Sequence, residues 1–130
     1  MILLDTDVCI EILRGNKKVI EKRKENNDSI AISFMTAAEL YYGAEKSDYR
    51  EKNKILIEEF LLTVEIIESD IEIMKRFGEI KANLKVKNEI LADADILIGS
   101  AALEKCEKLI TGNENHFKRI DNLRIENWIN

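Results

Sequence analysis

Four short apolar runs, each separated from the next by a longer stretch with helical spacing, most constrain the fold of this chain. The runs are Ile2–Leu4, Ile30–Ser33, Val64–Ile67 and Leu109–Thr111. Apolar runs of this length are typical of strands that are buried on both faces of a sheet. Strands that alternate with helices form parallel sheets, because each parallel connection must cross back over the sheet. The sequence therefore predicts an α/β fold, a three-layer α/β/α sandwich around a central, mostly parallel sheet of four to five strands.

The stretches between the runs are predicted to be helices. Helices are expected over Thr6–Leu13 and Lys17–Glu25, from Thr36, over Tyr49–Leu62, from Asp70, and over Ala92–Glu104, with a helical turn around Asn115–Ile120. In the helix from Asp70, four apolar residues repeat at helical spacing and predict one buried stripe: Ile73, Phe77, Ile80 and Leu84. A last edge strand is expected at Arg124-Ile125.

Length and charge narrow the class of protein. A chain of 130 residues is predicted to form one domain, residues 1–130. Its 20 Lys and Arg against 25 Asp and Glu give a net charge of −5, which argues against a protein that coats nucleic acid. No apolar run is long enough to span a membrane and no signal-peptide pattern is present, so a cytoplasmic location is predicted. Cys9 and Cys106 lack metal-ligand spacing and are expected to be reduced core residues.

Polar residues follow the predicted strands at their carboxyl ends. They are Asp5 and Asp7 after the first strand, Glu39 after the second, Asp93 and Asp95 at the start of a later helix, and Thr111 and Asn113 at the fourth strand. The carboxyl ends of parallel strands meet at one edge of the sheet, where α/β proteins bind ligands. Several carboxylates at one place predict a hard divalent cation, because without one they would raise each other's pKa values.

Each acid taken alone also has a simpler interpretation. Thr36–Glu39 matches a capping box, in which the glutamate bonds back to the start of its own helix. Asp93 suits an N-cap, Asp95 suits the first turn of a helix, and Asp7 suits a cap of the helix that follows it. Asp5 is harder to explain in this way, because it ends an apolar strand and a neighbour can serve as the cap. The expected convergence of the acids favours the cation.

The single histidine is not expected to take part in chemistry. His116 lies near a predicted surface turn, and a lone histidine in such a place is usually neither a ligand nor a base.

Five stretches occur in an order that resembles a known family. They read LLDTDVCIEILRG, SFMTAAELYYGAEKS, DADILIGSAAL, LITGNENHFKRI and RIENW. Together they resemble the PIN domain, and within it the VapC-type toxins of prokaryotic toxin–antitoxin pairs. The resemblance covers nearly the whole chain. It implies an endoribonuclease that depends on Mg²⁺ or Mn²⁺, is usually a homodimer, and is inhibited by a cognate antitoxin.

The resemblance also implies roles for individual acids. Asp5 and Asp95 correspond to metal-ligating aspartates, and Asp93 corresponds to a second acid that only some members carry. Glu39 corresponds to the glutamate of the T-x-x-E-L stretch and is predicted to orient or deprotonate the attacking water. Asp5, Glu39 and Asp95 are thus the predicted catalytic residues, and Glu39 is also a candidate metal ligand.

Four further residues are predicted to support the site. Thr6 follows the first aspartate, and Thr111 corresponds to the threonine of the family's T-x-[DN] element. Two positions depart from the family pattern: Asn113 stands where many members carry an aspartate, and Asp7 stands where an asparagine is more usual.

Partner surfaces are predicted on the same basis. Arg14, Lys118 and Arg119 are candidates for contact with RNA phosphates or with the antitoxin. The groove beside Ile10, Leu13 and Tyr42 is a candidate for an amphipathic antitoxin peptide. Dimerisation is expected through Tyr41, Tyr42 and the Tyr49–Leu62 helix.

Three other functions also fit parts of the sequence. Asp5 and Asp7 resemble the D-x-D opening of haloacid-dehalogenase phosphatases, although the chain is short for that fold and Cys9 is unusual there. A phospho-receiver domain also gathers acids at strand ends, but only Glu68 follows the third strand. A PIN fold that binds RNA or protein without cleaving, with Asn113 as the inactivating change, is the third alternative.

Overall fold

The five strands of the sheet all run in the same direction. The computed structural model describes residues 1–130, and its strands are β1 (Ile2–Leu4), β2 (Ile30–Ser33), β3 (Glu65–Ile67), β4 (Lys108–Ile110) and β5 (Ile125–Glu126). They lie in the order β3-β2-β1-β4-β5, and every neighbouring pair is parallel. The predicted mostly parallel sheet is therefore confirmed.

Seven helices cover the sheet. They are α1 (Thr6–Leu13), α2 (Lys17–Glu25), α3 (Phe34–Glu45), α4 (Arg50–Leu61), α5 (Ile71–Val86), α6 (Asp93–Lys105) and α7 (Glu114–Phe117). None of them has the length and apolar character that a membrane-spanning helix requires.

The alternating side chains of β1 show how the three layers are held together. Leu3 packs into a core with residues of α5, α6 and α7, whereas Ile2 and Leu4 pack into a second core with residues of α1 to α4. All three side chains are fully buried. Successive residues of a strand point to opposite faces, so an unbroken apolar run needs helices on both sides. The predicted α/β/α sandwich is confirmed.

The longest helix forms as its sequence pattern predicts. Asp70 is the N-cap of α5, and its carboxylate accepts a hydrogen bond of 2.9 Å from the backbone N–H of Ile73. The stripe of Ile73, Ile80 and Leu84 is buried, and Phe77 packs at its margin.

Helix α3 begins earlier than predicted. Its N-cap is Ser33, the last residue of β2, whose Oγ accepts a hydrogen bond of 3.1 Å from the backbone N–H of Thr36. Thr36 therefore lies inside the first turn and does not open the helix. The capping-box interpretation of Thr36 and Glu39 is wrong, because Ser33 already fills the cap position.

The two cysteines are free thiols, as predicted. Cys9 is fully buried in α1, and burial raises the pKa of its thiol. Cys106 is half-buried directly after α6.

The strand order reverses next to β1. The chain passes from β1 outward through β2 to β3, and it then returns to place β4 and β5 on the other side of β1. At such a reversal the connecting helices leave the sheet on opposite faces, which opens a crevice at the carboxyl ends of the two central strands. In this protein those ends carry Asp5 and Thr111.

Candidate metal and active site

Asp5 lies at the centre of the candidate site. It follows β1 directly, is only 6% exposed, and is the N-cap of α1. Its Oδ1 accepts a hydrogen bond of 2.8 Å from the backbone N–H of Thr6, and its Oδ2 accepts one of 2.7 Å from the Thr111 hydroxyl. Asp5 is therefore both the helix cap and a site residue, although the sequence had favoured a neighbour as the cap.

Asp7 joins α1 to the loop after β4. Its Oδ2 accepts a hydrogen bond of 3.0 Å from the backbone N–H of Gly112. A Cβ atom at Gly112 would lie 2.7 Å from Ile129 Cδ1 and 3.0 Å from Asp7 Oδ2, so glycine permits this close approach. The other oxygen, Oδ1, is buried without a hydrogen-bond donor. The cap role predicted for Asp7 is wrong, because Asp5 takes it.

Burial disfavours the charge of both acids, and Asp7 further disfavours the charge of Asp5. Burial, and then the nearby Asp7 carboxylate, raise the pKa of Asp5 to about 7, against the opposing hydrogen bonds from Thr111 and Thr6. Burial also raises the pKa of Asp7. No basic side chain is among the main causes of either shift, and a hydrogen bond from the Asp5 carboxyl, which requires that one of the two acids holds a proton, lowers the pKa of Asp7. The pair lacks a positive charge.

Hydroxyl groups hold Glu39 in place. The Thr6 hydroxyl donates a hydrogen bond of 2.7 Å to Glu39 Oε1 and lies 3.1 Å from the hydroxyl of Thr36. Thr36 is fully buried and in turn lies 3.4 Å from the Ser33 hydroxyl. Glu39, on the third helix, is thereby fixed beside the first turn of α1.

Asp95 is linked to the site through His116, for which the sequence predicted no role. Its Oδ2 lies 3.1 Å from Nδ1 of His116, and the same Nδ1 lies 2.8 Å from Nδ2 of Asn113. The backbone N–H of Asn113 donates a hydrogen bond of 2.9 Å to Thr111 Oγ1. Because Thr111 also binds Asp5, a series of close polar contacts links Asp5 to Asp95 through Thr111, Asn113 and His116.

The spacing of Asn113 and His116 contained a usable signal. Residues three apart lie on the same side of a helical turn. The side chain of His116 is therefore expected on the same side as that of Asn113, which the topology already places at the site.

Asp93 stands apart from this cluster. Its carboxylate forms an ion pair of 2.9 Å with Lys81 of α5, and its side chain is 62% exposed. Ala92 is the N-cap of α6, so the N-cap interpretation of Asp93 is wrong. The structure does not bring this predicted metal ligand together with Asp5 and Asp95.

The predicted basic contacts lie in two places. Arg14 is the C-cap of α1, about 13.5 Å along the helix from Asp5, and pairs with Glu11. Lys118 and Arg119 follow α7 directly, close to His116, and they line a shallow depression in the surface with Glu89 and Asn115. Of the three, Lys118 and Arg119 lie nearer to a site residue in the chain, directly after α7 and its His116.

The residues present fit a divalent cation that keeps part of its water shell. No three His, Cys, Asp or Glu side chains converge closely enough to enclose an ion on their own. Mg²⁺ is usually held by one or two protein carboxylates, with water and phosphate completing its shell. Asp5 and Asp95 are near enough for their charges to interact, and a buried oxygen of Asp7 lacks a donor. Uncompensated acids of this kind suit a cation.

Comparison with known proteins identifies the family. The family model described as the PIN domain matches residues 2–123. This chain belongs to the PIN-domain family. That assignment decides against a haloacid-dehalogenase phosphatase and against a receiver domain.

The PIN-domain relatives match over almost the full length. Ribonuclease VapC2 of Haemophilus influenzae is 34% identical over 128 residues, which are 98% of this chain and 97% of the relative. The tRNA(fMet)-specific endonuclease VapC of Salmonella typhimurium is 34% identical and covers 97% of this chain and 96% of its own. The crystal structure of VapBC2 from Rickettsia felis, bound to a DNA fragment from its promoter, matches with a TM-score of 0.93 and 35% identity. That match covers 98% of this chain and 99% of the other.

Proposed function

We propose that this protein is an endoribonuclease that depends on a divalent metal ion and acts in the cytoplasm as the toxin of a toxin–antitoxin pair. The observation that carries the proposal is the buried, uncompensated Asp5 at the reversal of strand order, which close polar contacts link to Asp95. The full-length similarity to VapC ribonucleases supports the same conclusion.

In this proposal Asp5 and Asp95 hold Mg²⁺ or Mn²⁺. A bound divalent ion supplies Lewis acidity toward the phosphodiester and lowers the pKa of water. Asp7 supports the arrangement by fixing the loop after β4. Asp93 does not bind the ion in this proposal, because its carboxylate accepts a hydrogen bond from Lys81.

The chain's own side chains orient the reaction. Glu39 positions the attacking water and accepts its proton, with the carboxylate held by the Thr6 hydroxyl. Thr111 fixes the Asp5 carboxylate and thereby the geometry of the ligand. Lys118 and Arg119 bind phosphate groups of the RNA beside the cleavage position. Initiator tRNA is the first substrate to test, because curated relatives are named for that specificity.

Exposed apolar side chains on α3 and on or beside α4 favour contact with another protein chain. They are Tyr42, Tyr49, Ile55, Leu56 and Leu62. We infer that this face forms a homodimer. Tyr41, in contrast, is half-buried against the core of α1 to α4 and contributes less than predicted. The antitoxin is proposed to bind beside α1 and the exposed ring of Tyr42, as an amphipathic peptide would.

The test is cleavage of initiator tRNA and of a mixed RNA pool by the purified protein, with Mg²⁺, Mn²⁺ or EDTA. We expect cleavage that requires metal and falls at least about a hundredfold in Asp5→Asn. The control is Asp93→Asn, whose carboxylate is exposed and paired with Lys81, and it should retain nearly full activity. The product of the adjoining gene, added in equal amount, should suppress cleavage if it is the antitoxin.

Two outcomes would contradict the proposal. Cleavage that survives both EDTA and Asp5→Asn would mean that a contaminating nuclease is responsible. Metal binding without cleavage of any RNA in the pool would favour a PIN fold that binds without cutting.

A further inference from the structure

The residues that follow β5 lie across the loop that carries Thr111 and Asn113. The backbone N–H of Thr111 donates a hydrogen bond of 3.0 Å to the carbonyl oxygen of Glu126, in β5. A Cβ atom at Gly112 would lie 2.7 Å from Ile129 Cδ1 and 3.3 Å from Ile129 Cβ. The side chain of Ile129 therefore packs directly on the backbone of Gly112.

The amide of Asn127 fixes the position of Ile129. Its Oδ1 accepts hydrogen bonds of 2.8 Å and 3.0 Å from the backbone N–H groups of Ile129 and Asn130, and its Nδ2 donates one of 2.9 Å to Glu114 Oε2 in α7. Turning this amide over would break all three bonds, so its orientation is determined by its partners. Asn127 thus ties residues 127–130 to the helix that follows the loop.

Trp128 anchors the same segment in the core. Its side chain is 2% exposed and belongs to the core that Ile2 and Leu4 form with α1 to α4. Ile129 is half-buried and packs at the margin of that core. A buried neighbour and the Asn127 hydrogen bond together leave Ile129 little freedom to move away from the loop.

Gly112 is thereby held from two directions. Its backbone N–H donates a hydrogen bond of 3.0 Å to Asp7 Oδ2 of α1, and Ile129 packs on it from the segment after β5. The residue before it, Thr111, donates its hydroxyl hydrogen bond to Asp5. A shift of Gly112 would therefore disturb the partners of both Asp5 and Asp7.

We propose that Ile129 is a positioning residue, which holds the loop after β4 against Asp7 and so keeps Asp5 and Thr111 in the geometry that cleavage requires. This inference rests on the proposed function, which supplies the reaction. Because Ile129 acts through the loop, its effect should fall on the rate of the chemical step and not on the binding of RNA. Small displacements matter at such a site, since reacting groups must be held within narrow limits.

Ile129→Val tests the proposal with little disturbance elsewhere, because it removes only Cδ1, the atom that lies 2.7 Å from the Cβ position of Gly112. We expect kcat for RNA cleavage to fall about fivefold, with KM changed by less than about twofold. In the ¹⁵N-labelled protein without metal or RNA, exchange of the Gly112 amide proton with solvent should be about fivefold faster. NMR measures this exchange, and the measurement does not depend on cleavage.

Ile30→Val is the matched control. Ile30 is also half-buried and packs against the same core, but it lies at the amino end of β2, at the opposite edge of the sheet from the site. The two variants should lower the Tm by similar amounts. Only Ile129→Val should change kcat and the exchange of the Gly112 amide.

A second substitution tests the same contact from the side of the loop. Gly112→Ala places a methyl group 2.7 Å from Ile129 Cδ1 and should lower kcat. Because Ile129→Val removes that atom, we expect the double variant to recover part of the activity that Gly112→Ala loses. Two changes that only weaken the fold would not relieve each other in this way.

The outcomes distinguish this inference from the proposed function. Wild-type kcat and wild-type Gly112 exchange in Ile129→Val would overturn the role of Ile129 and leave the ribonuclease intact. Equal losses of kcat in Ile30→Val, or no recovery in the double variant, would also overturn it, since either result would indicate a general loss of stability. Absence of RNA cleavage by the wild-type protein would overturn the proposed function together with the role of Ile129 in it.

Discussion

Thr111 is the side chain on which both halves of the candidate site depend. It is fully buried, it donates a hydrogen bond to Asp5, and it accepts one from the backbone N–H of Asn113. A hydroxyl can do both at once, because it has one donor and two acceptor lone pairs. A valine of the same shape would leave Asp5 Oδ2 and the Asn113 N–H without partners.

The charge of Asp5 should cost the metal-free protein stability at neutral pH. Its pKa is raised from 3.8 to about 7, so the folded protein binds this proton more tightly than the unfolded chain does. The group is therefore neutral and least costly below pH 4, and stability is lost as the pH rises from about 4 to 7. In EDTA at pH 8, we expect Asp5→Asn to increase the free energy of unfolding by on the order of 2 kcal/mol. Urea unfolding at pH 5 and pH 8 measures the difference.

This experiment has a control variant, Asp93→Asn, and a second comparison in which Mn²⁺ is added. Asp93→Asn should change the stability little, because its carboxylate lies on the surface. Addition of Mn²⁺ at pH 8 should stabilise the wild-type protein and not Asp5→Asn. A variant that is less stable than wild type at pH 8 would show that the hydrogen bonds of Asp5 outweigh its desolvation.

The sequence predicted some site residues and missed others for a physical reason. Asp5, Glu39 and Asn113 follow strands, and the topology of a parallel sheet alone brings them to one edge. The direction of Asp93 depends on Lys81, twelve residues earlier on another helix, and thus on how α5 and α6 pack. His116 meets Asp95 across a separation of 21 residues. The contact of Asp93 leaves no periodic signal in the sequence, and the only signal for His116 is its spacing of three residues from Asn113.

Helix α3 carries Glu39 to the site, and its start depends on one buried hydroxyl. Ser33 ends β2 and caps α3, so the strand passes into the helix without a loop. The sequence predicts a helix start at Thr36, because Phe34 and Met35 extend the apolar run of β2 and Ser33 is therefore not recognised as the N-cap. Strand positions were predicted well for the opposite reason: an apolar run bounded by polar residues has few alternatives.

Loss of this cap should affect both stability and activity. We expect Ser33→Ala to lower the free energy of unfolding by about 1 kcal/mol, because the Thr36 N–H loses its partner inside the core. Cleavage activity should fall severalfold, since α3 sets the position of Glu39. Asn16→Ala is the matched control, as Asn16 caps the solvent-facing helix α2 and should cost similar stability without loss of activity. Equal activity losses in both variants would show that the effect is global and not specific to α3.

At the scale of the whole molecule, several large apolar side chains on α3 and α4 are exposed. They include Ile55, which is 55% exposed. Exposed apolar side chains that cluster on a small protein are typical of an interface.

We expect light scattering to give a mass near twice 15.0 kDa for the isolated protein. Ile55→Lys should shift the mass to that of a monomer without loss of folding, because the side chain lies outside both cores. Met74→Lys, at a similarly exposed position on α5, should leave the dimer intact. A monomeric wild-type protein, or a dimer broken only by Met74→Lys, would place the interface elsewhere or exclude it.

The order of the strands also bears on how the protein is made. Asp5 precedes Thr111, whose hydroxyl binds it, by 106 residues, so Asp5 leaves the ribosome long before the segments that complete its surroundings. β4 pairs directly with β1 in the centre of the sheet, so this pair cannot form until synthesis has passed β4. A nascent chain that lacks β4 therefore holds the acids of the proposed site apart, and on our proposal it is inert toward the RNA around it.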